Sequence, residues 1–216
     1  LVFPDAGYDP ERDFRPVSHV NSYEFGVAVG SAVPVKELPH LMAWLKANPE
    51  CYLSINISAS HFESPFFLKR AYQTLHRHGI SPSQLTLEIT ERELIDNSCN
   101  TTRKVLQLAN QYGFKLAIDD FGTGYSSLAY LSRLPLDELK IDRSFVARLP
   151  GSKNDEVIAR MVISMGRNLG LSVLAEGVET DGQMDALRRY GCHAYQGFLI
   201  ARPSPIEEFL LLIQKK

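Results

Sequence analysis

The stretch LAIDDFGTGYSS, residues 116–127, decides the fold of this chain. An apolar run ends in two adjacent carboxylates, Asp119 and Asp120, and passes into a turn with two glycines. Side chains alternate across a strand, so these aspartates can share one site only where the strand is ending and the backbone has begun to turn. Gly122 and Gly124 supply that freedom, because glycine takes positive φ and lets the backbone pass close to a ligand. Ser126 and Ser127 then stand where a helix can start. The expected unit is a strand, a carboxylate pair at its C-terminal tip and a pliant loop above.

The same unit recurs outward in both directions. Before it, apolar positions 38, 41, 42 and 45 mark one face of a helix over 35–47, stopped by Asn48-Pro49. Alternation predicts strands at 51–57 and 85–89, with helices at 62–78 and 101–112 closed by Gly79 and Gly113, and a strand at 114–118 feeding the motif. After it come a short helix at 126–132, strands at 138–141, 171–175 and 194–200, and helices at 155–169, 180–190 and 205–213. Residues 1–20, with prolines at 4, 10 and 16, read as irregular. Strand and helix alternating this regularly imply a parallel sheet with crossover helices. Polar residues recur at the strand ends: Asn56, Glu88, Asp119 with Asp120, Lys140, Glu176 and Gln196. In an open sheet they would lie along a line, whereas in a closed barrel they converge on one mouth, so the expected fold is an α/β barrel.

Bulk properties bound the functional classes. A chain of 216 residues suits one barrel domain over 1–216, and 44% hydrophobic with 22% charged residues is enough for a full core. A net charge of -2 argues against a DNA or RNA polymer as partner, since such binding neutralises many phosphates. Cys51, Cys99 and Cys192 are odd in number and share no metal-binding spacing, which fits a reducing, cytoplasmic setting, with any membrane tether lying elsewhere in the parent protein. The chain opens at Leu1 without an initiator methionine, the expectation being a fragment of a longer multidomain protein.

Each polar strand end has an ordinary reading alone: Asn56 as a turn residue, Glu88 or Glu91 as a solvated edge, Lys140 with Asp142 as a rim ion pair, Glu176 as a loop acid. Together they are carboxylate and carboxamide oxygens, hard donors suited to Mg²⁺ or Mn²⁺. Four unpaired carboxylates at one mouth would repel one another, and cations offset that cost. Two ions bridged by Asp119 would polarise a phosphoryl oxygen and activate water, as in two-metal phosphodiester hydrolysis. An ammonium at Lys140 would orient that water and stabilise developing charge.

These residues also carry a family resemblance. NISASHF at 56–62, LEITE at 87–91, DDFGTGYSS at 119–127, LKIDRSFV at 139–146, AEGVET at 175–180 and YQGFLIARP at 195–203 closely resemble the EAL domain, the bacterial cyclic di-GMP phosphodiesterase. The resemblance implies a modified TIM (β/α)8 barrel that hydrolyses cyclic di-GMP to linear pGpG with two Mg²⁺ or Mn²⁺ ions. It implies Asn56, Glu88, Asp119, Asp120 and Glu176 as metal ligands and Lys140 as the water-activating lysine. By the same resemblance Gln196 meets substrate, Glu91 tethers the loop of Gly122 and Gly124, and Asp142 supports the lysine. A homodimer and an attached sensor or GGDEF-type domain are implied as partners. The Glu-Ala-Leu triplet that names the family does not occur here, so the first strand is expected to be missing or displaced at the N-terminus. A normal glutamate on that strand implies an enzyme; its replacement implies an inactive cyclic di-GMP receptor.

Overall fold

The computed structural model describes residues 38–49, 51–58, 64, 66–96, 100–124 and 128–202. The expected first strand, Cys99, the serines at 126 and 127, and the helix at 205–213 lie outside the described residues. Six strands follow one another as β1 (Leu53–Asn56), β2 (Leu85–Thr90), β3 (Lys115–Phe121), β4 (Glu138–Ile141), β5 (Ser172–Ala175) and β6 (Ala194–Tyr195). Each pairs in parallel with the next, and their spatial order is their sequence order. A doubly wound sheet would reverse its order at a switch point. The unbroken order is that of consecutive barrel staves, as expected for a modified (β/α)8 barrel.

The helices are α1 (Leu38–Ala47), α2 (Phe67–His78), α3 (Glu91–Asp96), α4 (Asn100–Gln111), α5 (Leu128–Leu131), α6 (Arg143–Val146), α7 (Lys153–Asn168) and α8 (Asp181–Tyr190). Local chemistry sets their ends. Gly79 closes α2 in the left-handed region at φ 68°, its N–H reaching the carbonyls of Leu75 and His76, while Thr180 and Gln183 form a reciprocal capping box on α8. The core lies between sheet and helices: Leu87, Ile89, Leu116, Ile118, Leu139 and Ile141 are fully buried against Leu106 of α4, Ile163 of α7 and Leu187 of α8. On α7 the packing is closest at Gly166, where a Cβ would stand 2.4 Å from Val173 Cγ2.

Register assigns the opposite face. Asn56 pairs with Glu88, Glu88 with Ala117, Thr90 with Asp119, Ala117 with Glu138, and Lys140 with Leu174, which pairs with Ala194. With a side-chain period of two, Asn56, Glu88, Asp119, Lys140, Glu176 and Gln196 therefore share the inner face.

Several expected boundaries move. The strand expected to stop at Ile118 runs on to Phe121, through both aspartates. Ile118 pairs with Leu139 but Phe121 with Ile141, three steps on β3 against two on β4. That extra residue is a β-bulge, with Asp120 at φ 53°. The aspartates share a site because the strand bulges, with pairing resumed at Phe121, and not because the strand has ended. The last strand, expected over 194–200, is only Ala194–Tyr195, because Gly197 to Ile200 turn back with Ile200 N–H bonding the Gly197 carbonyl. The helix expected from residue 62 begins at Phe67, and two short helices, α3 and α6, were not legible in periodicity because neither completes two turns.

Candidate metal centre at the barrel mouth

Lys140 is the hub of the inner face. Its side chain is 4% exposed, and Nζ lies 2.8 Å from Glu176, 2.9 Å from Glu88 and 3.1 Å from Asp119. Strands β2 and β3 and the residue directly after β5 thus point a carboxylate each at one ammonium carried by β4. Burial alone would lower the lysine pKa, but the hydrogen bond and charge of Glu176, then the charges of Glu88 and Asp119, outweigh it and raise the pKa. Lys140 is an ammonium at neutral pH, with no lone pair free to take a proton.

Beside it, Asp119, Asp120 and Glu176 bring one carboxylate oxygen each to within 4.8 Å of one another. Burial, then the neighbouring Asp119 and Asp142 charges, raise the Asp120 pKa; burial likewise raises that of Glu176 against the opposing pull of Lys140. One ammonium faces four carboxylates, so the mouth carries excess negative charge. Hard oxygen donors, mutual proximity and unbalanced charge fit a divalent cation of the Mg²⁺ or Mn²⁺ kind.

Glu91 begins α3, directly after β2, and is 2% exposed. Its Oε2 accepts the backbone N–H groups of Gly122 at 2.9 Å and Gly124 at 3.0 Å. Gly122 has φ 101°, and a Cβ at Gly124 would stand 3.0 Å from the Glu91 carboxylate, so both positions suit glycine. The bulge is held from below by Thr123, whose hydroxyl donates to the Asp120 carbonyl at 2.9 Å. Glu91→Gln is expected to speed amide exchange at Gly122 and Gly124 while leaving the melting temperature nearly unchanged. Exchange mass spectrometry reads this directly, and wild-type protection at both amides would remove the anchor role.

The remaining expected residues are placed as follows. Asn56, the exposed last residue of β1, stands beside Glu88 in register. Gln196 follows β6; its side chain is exposed, and its backbone bonds Ala175 and Val178. Asp142 is the N-cap of α6, accepting the Ser144 N–H at 3.0 Å, and it faces Asp120. Arg143 and Phe145 on α6 escaped the sequence reading, although both lie within the LKIDRSFV stretch. Nothing in their type or spacing marks them.

Fold and site together define an α/β-barrel protein whose mouth gathers carboxylate oxygens suited to a divalent cation. Within that class the chain belongs to the EAL domain family, whose model matches residues 28–203. Over 185 residues it is 38% identical to the bifunctional diguanylate cyclase/cyclic di-GMP phosphodiesterase MucR of Pseudomonas aeruginosa, covering 85% of this chain and 27% of MucR. The solved MucR phosphodiesterase in complex with c-di-GMP superposes with TM-score 0.73 at 40% identity, over 79% of this chain and 69% of that one. A manganese and cyclic-di-GMP complex of Klebsiella pneumoniae BlrP1 gives TM-score 0.69 at 35% identity, over 75% of this chain and 41% of that one. The chain thus spans about a quarter of the length of MucR.

Proposed function

We propose that this chain is a metal-dependent phosphodiesterase that opens cyclic di-GMP to linear pGpG. The observation that carries the reading is Lys140 fixed by Glu88, Asp119 and Glu176 beside the Asp119, Asp120 and Glu176 cluster. The c-di-GMP and manganese complexes of its relatives support the substrate and the cofactor class. Asn56, Glu88 and Asp119 would hold one ion, and Asp119, Asp120 and Glu176 a second. When bound, such ions lower the pKa of water and polarise a phosphoryl oxygen.

The chain's own groups do the rest. Lys140, held as an ammonium, donates hydrogen bonds and so orients the attacking water and stabilises charge developing on the phosphoryl oxygens. Glu91 fixes the backbone after the bulge, which keeps Asp119 and Asp120 together on the inner face. Gln196, exposed at the mouth, meets the substrate. The domain reading follows: one barrel over 1–216, working in the cytoplasm as part of a larger signalling protein, with a homodimer and an attached sensor or GGDEF-type domain as its assembly.

The test is conversion of cyclic di-GMP by the full chain with Mg²⁺ or Mn²⁺, followed by chromatography. Appearance of pGpG, lost on chelation, is the expected result. Tight calorimetric binding without product would instead make the chain a receptor, and neither binding nor turnover would sink both readings.

Cation binding should also show in stability. Saturating Mn²⁺ at about 100 times its Kd contributes about 2.7 kcal/mol, which is a Tm rise of several degrees for a domain of this size. The folded-state pKa values of Asp120 and Glu176 are raised above the ordinary 3.8 and 4.5. Without metal, these two groups therefore oppose folding at neutral pH, and that penalty fades as pH falls through their raised values. Protons then compete with the cation, so the Mn²⁺-induced Tm rise should shrink steadily as pH falls from neutral toward 4.5. A metal-induced shift independent of pH over that window would contradict the carboxylate assignment.

A further inference from the structure

We infer that α6, the short helix Arg143–Val146 after β4, is the positioning element that sets the β3 and β5 loops against each other, through Phe145 on Gly122 and Arg143 on Gly177. Both contacts are backbone against side chain with no room between. A Cβ at Gly122 would stand 2.8 Å from Phe145 Cε2; one at Gly177 would stand 2.4 Å from Arg143 Cγ and 2.9 Å from its Cβ and Cδ. Gly122 is two residues beyond Asp120, and Gly177 directly follows Glu176. The two strands that supply the Asp119, Asp120 and Glu176 cluster are separated by β4, so they do not pair with each other. The helix that follows β4 touches both of their loops.

α6 is itself well fixed. Asp142 caps its start, Val146 is fully buried, and Gln183 of α8 donates to the Ala147 carbonyl at 3.3 Å. Arg143 Nη2 bonds Glu179 Oε1 at 2.9 Å, and Glu179 N–H is in turn held by Gln183 at 2.7 Å. The contact continues to the next stave: Val178 N–H bonds the Gln196 carbonyl at 3.0 Å, and a Cβ at Gly197 would fall 2.2 Å from the Val178 carbonyl oxygen. Neither Arg143 nor Phe145 belongs to the acidic cluster. They act by fixing the backbone from which Asp120 and Glu176 project, as outer partners do at metal sites.

The inference rests on the cation site proposed above, and a binding measurement separates the two. The full chain and its Phe145→Ala, Arg143→Ala and Arg143→Gln variants are titrated with Mn²⁺ without substrate, by electron paramagnetic resonance or calorimetry, with melting curves recorded on each apo protein. Phe145→Ala and Arg143→Ala should each weaken one Mn²⁺ site about tenfold or more, the scale of lost outer-shell support, while leaving the other site in place. The apo melting curve should hold for Arg143→Ala and fall for Phe145→Ala, because Phe145 packs against the core. Arg143→Gln keeps the Cβ and Cγ methylenes, Cγ being the atom nearest Gly177, and should bind like the wild type. Should Phe145→Ala fail to fold, Arg143→Ala decides alone, because its side chain is 63% exposed. Unchanged affinity in the folded alanine variants, or an equal loss in Arg143→Gln, would overturn the role of α6. A wild-type chain that binds no Mn²⁺ would overturn the cation site itself, and the inference with it.

Discussion

Lys140→Met is expected to abolish turnover of cyclic di-GMP and, without divalent cation, to destabilise the barrel. The methionine side chain is similar in length but carries no charge, so Glu88, Asp119 and Glu176 would face one another with the counter-ion removed. Their side chains are only 8%, 13% and 18% exposed, which leaves little solvent to screen them. Breaking a buried ion pair from one side typically costs about 3 to 5 kcal/mol. Part of that would be recovered as carboxyls take up protons, so the loss should be largest at alkaline pH and smaller near pH 5. Adding Mn²⁺ should restore much of the stability and none of the turnover, because a cation replaces the charge but not the ordered donor. Denaturant melts at two pH values, with and without Mn²⁺, read the first effect, and product chromatography reads the second. Wild-type stability in the metal-free variant would show that Lys140 is not the counter-ion of this cluster.

Asp119→Asn should lower turnover by about a hundredfold to a thousandfold, the scale seen when a single electrostatic contact is removed from a reacting centre. The substitution conserves shape, so the β-bulge survives; it removes the one carboxylate common to both proposed cation positions. It also takes one of the three anions from Lys140. Metal titration should therefore show both sites weakened together, in contrast to Glu176→Gln, which should weaken one. Normal turnover by Asp119→Asn, or loss confined to a single site, would contradict a bridging role.

Much of the mouth is legible in the sequence. Each strand is an apolar run with a polar residue near its end, and period two places Asn56, Glu88, Asp119, Lys140, Glu176 and Gln196 on the same face once the strands are parallel and in register. Glu91 by its position alone reads as a solvated edge or the opening of a helix, and only the family resemblance implied a tether; in the structure its carboxylate accepts the Gly122 and Gly124 amides. Arg143, Phe145 and Gly177 were not legible. Their significance lies in contacts between residues more than twenty positions apart, and a surface arginine or a half-buried phenylalanine has no distinctive sequence context.

The sequence alone determined the alternation of strand and helix, the chemical character of the mouth as hard oxygen donors around a lysine, and the family. The first two follow from periodicity and side-chain chemistry, both local properties of the chain, and the family from the motifs that resemble it. Only the tertiary structure decided how LAIDDFGTGYSS works. The strand does not end at the aspartates but bulges through them, because pairing with β4 resumes at Phe121 and one extra residue must be accommodated on β3. Only the fold, likewise, set a single ammonium against carboxylates from β2, β3 and the end of β5 and pressed α6 onto both acidic loops. Register and close packing arise between distant segments, and no window of sequence contains them.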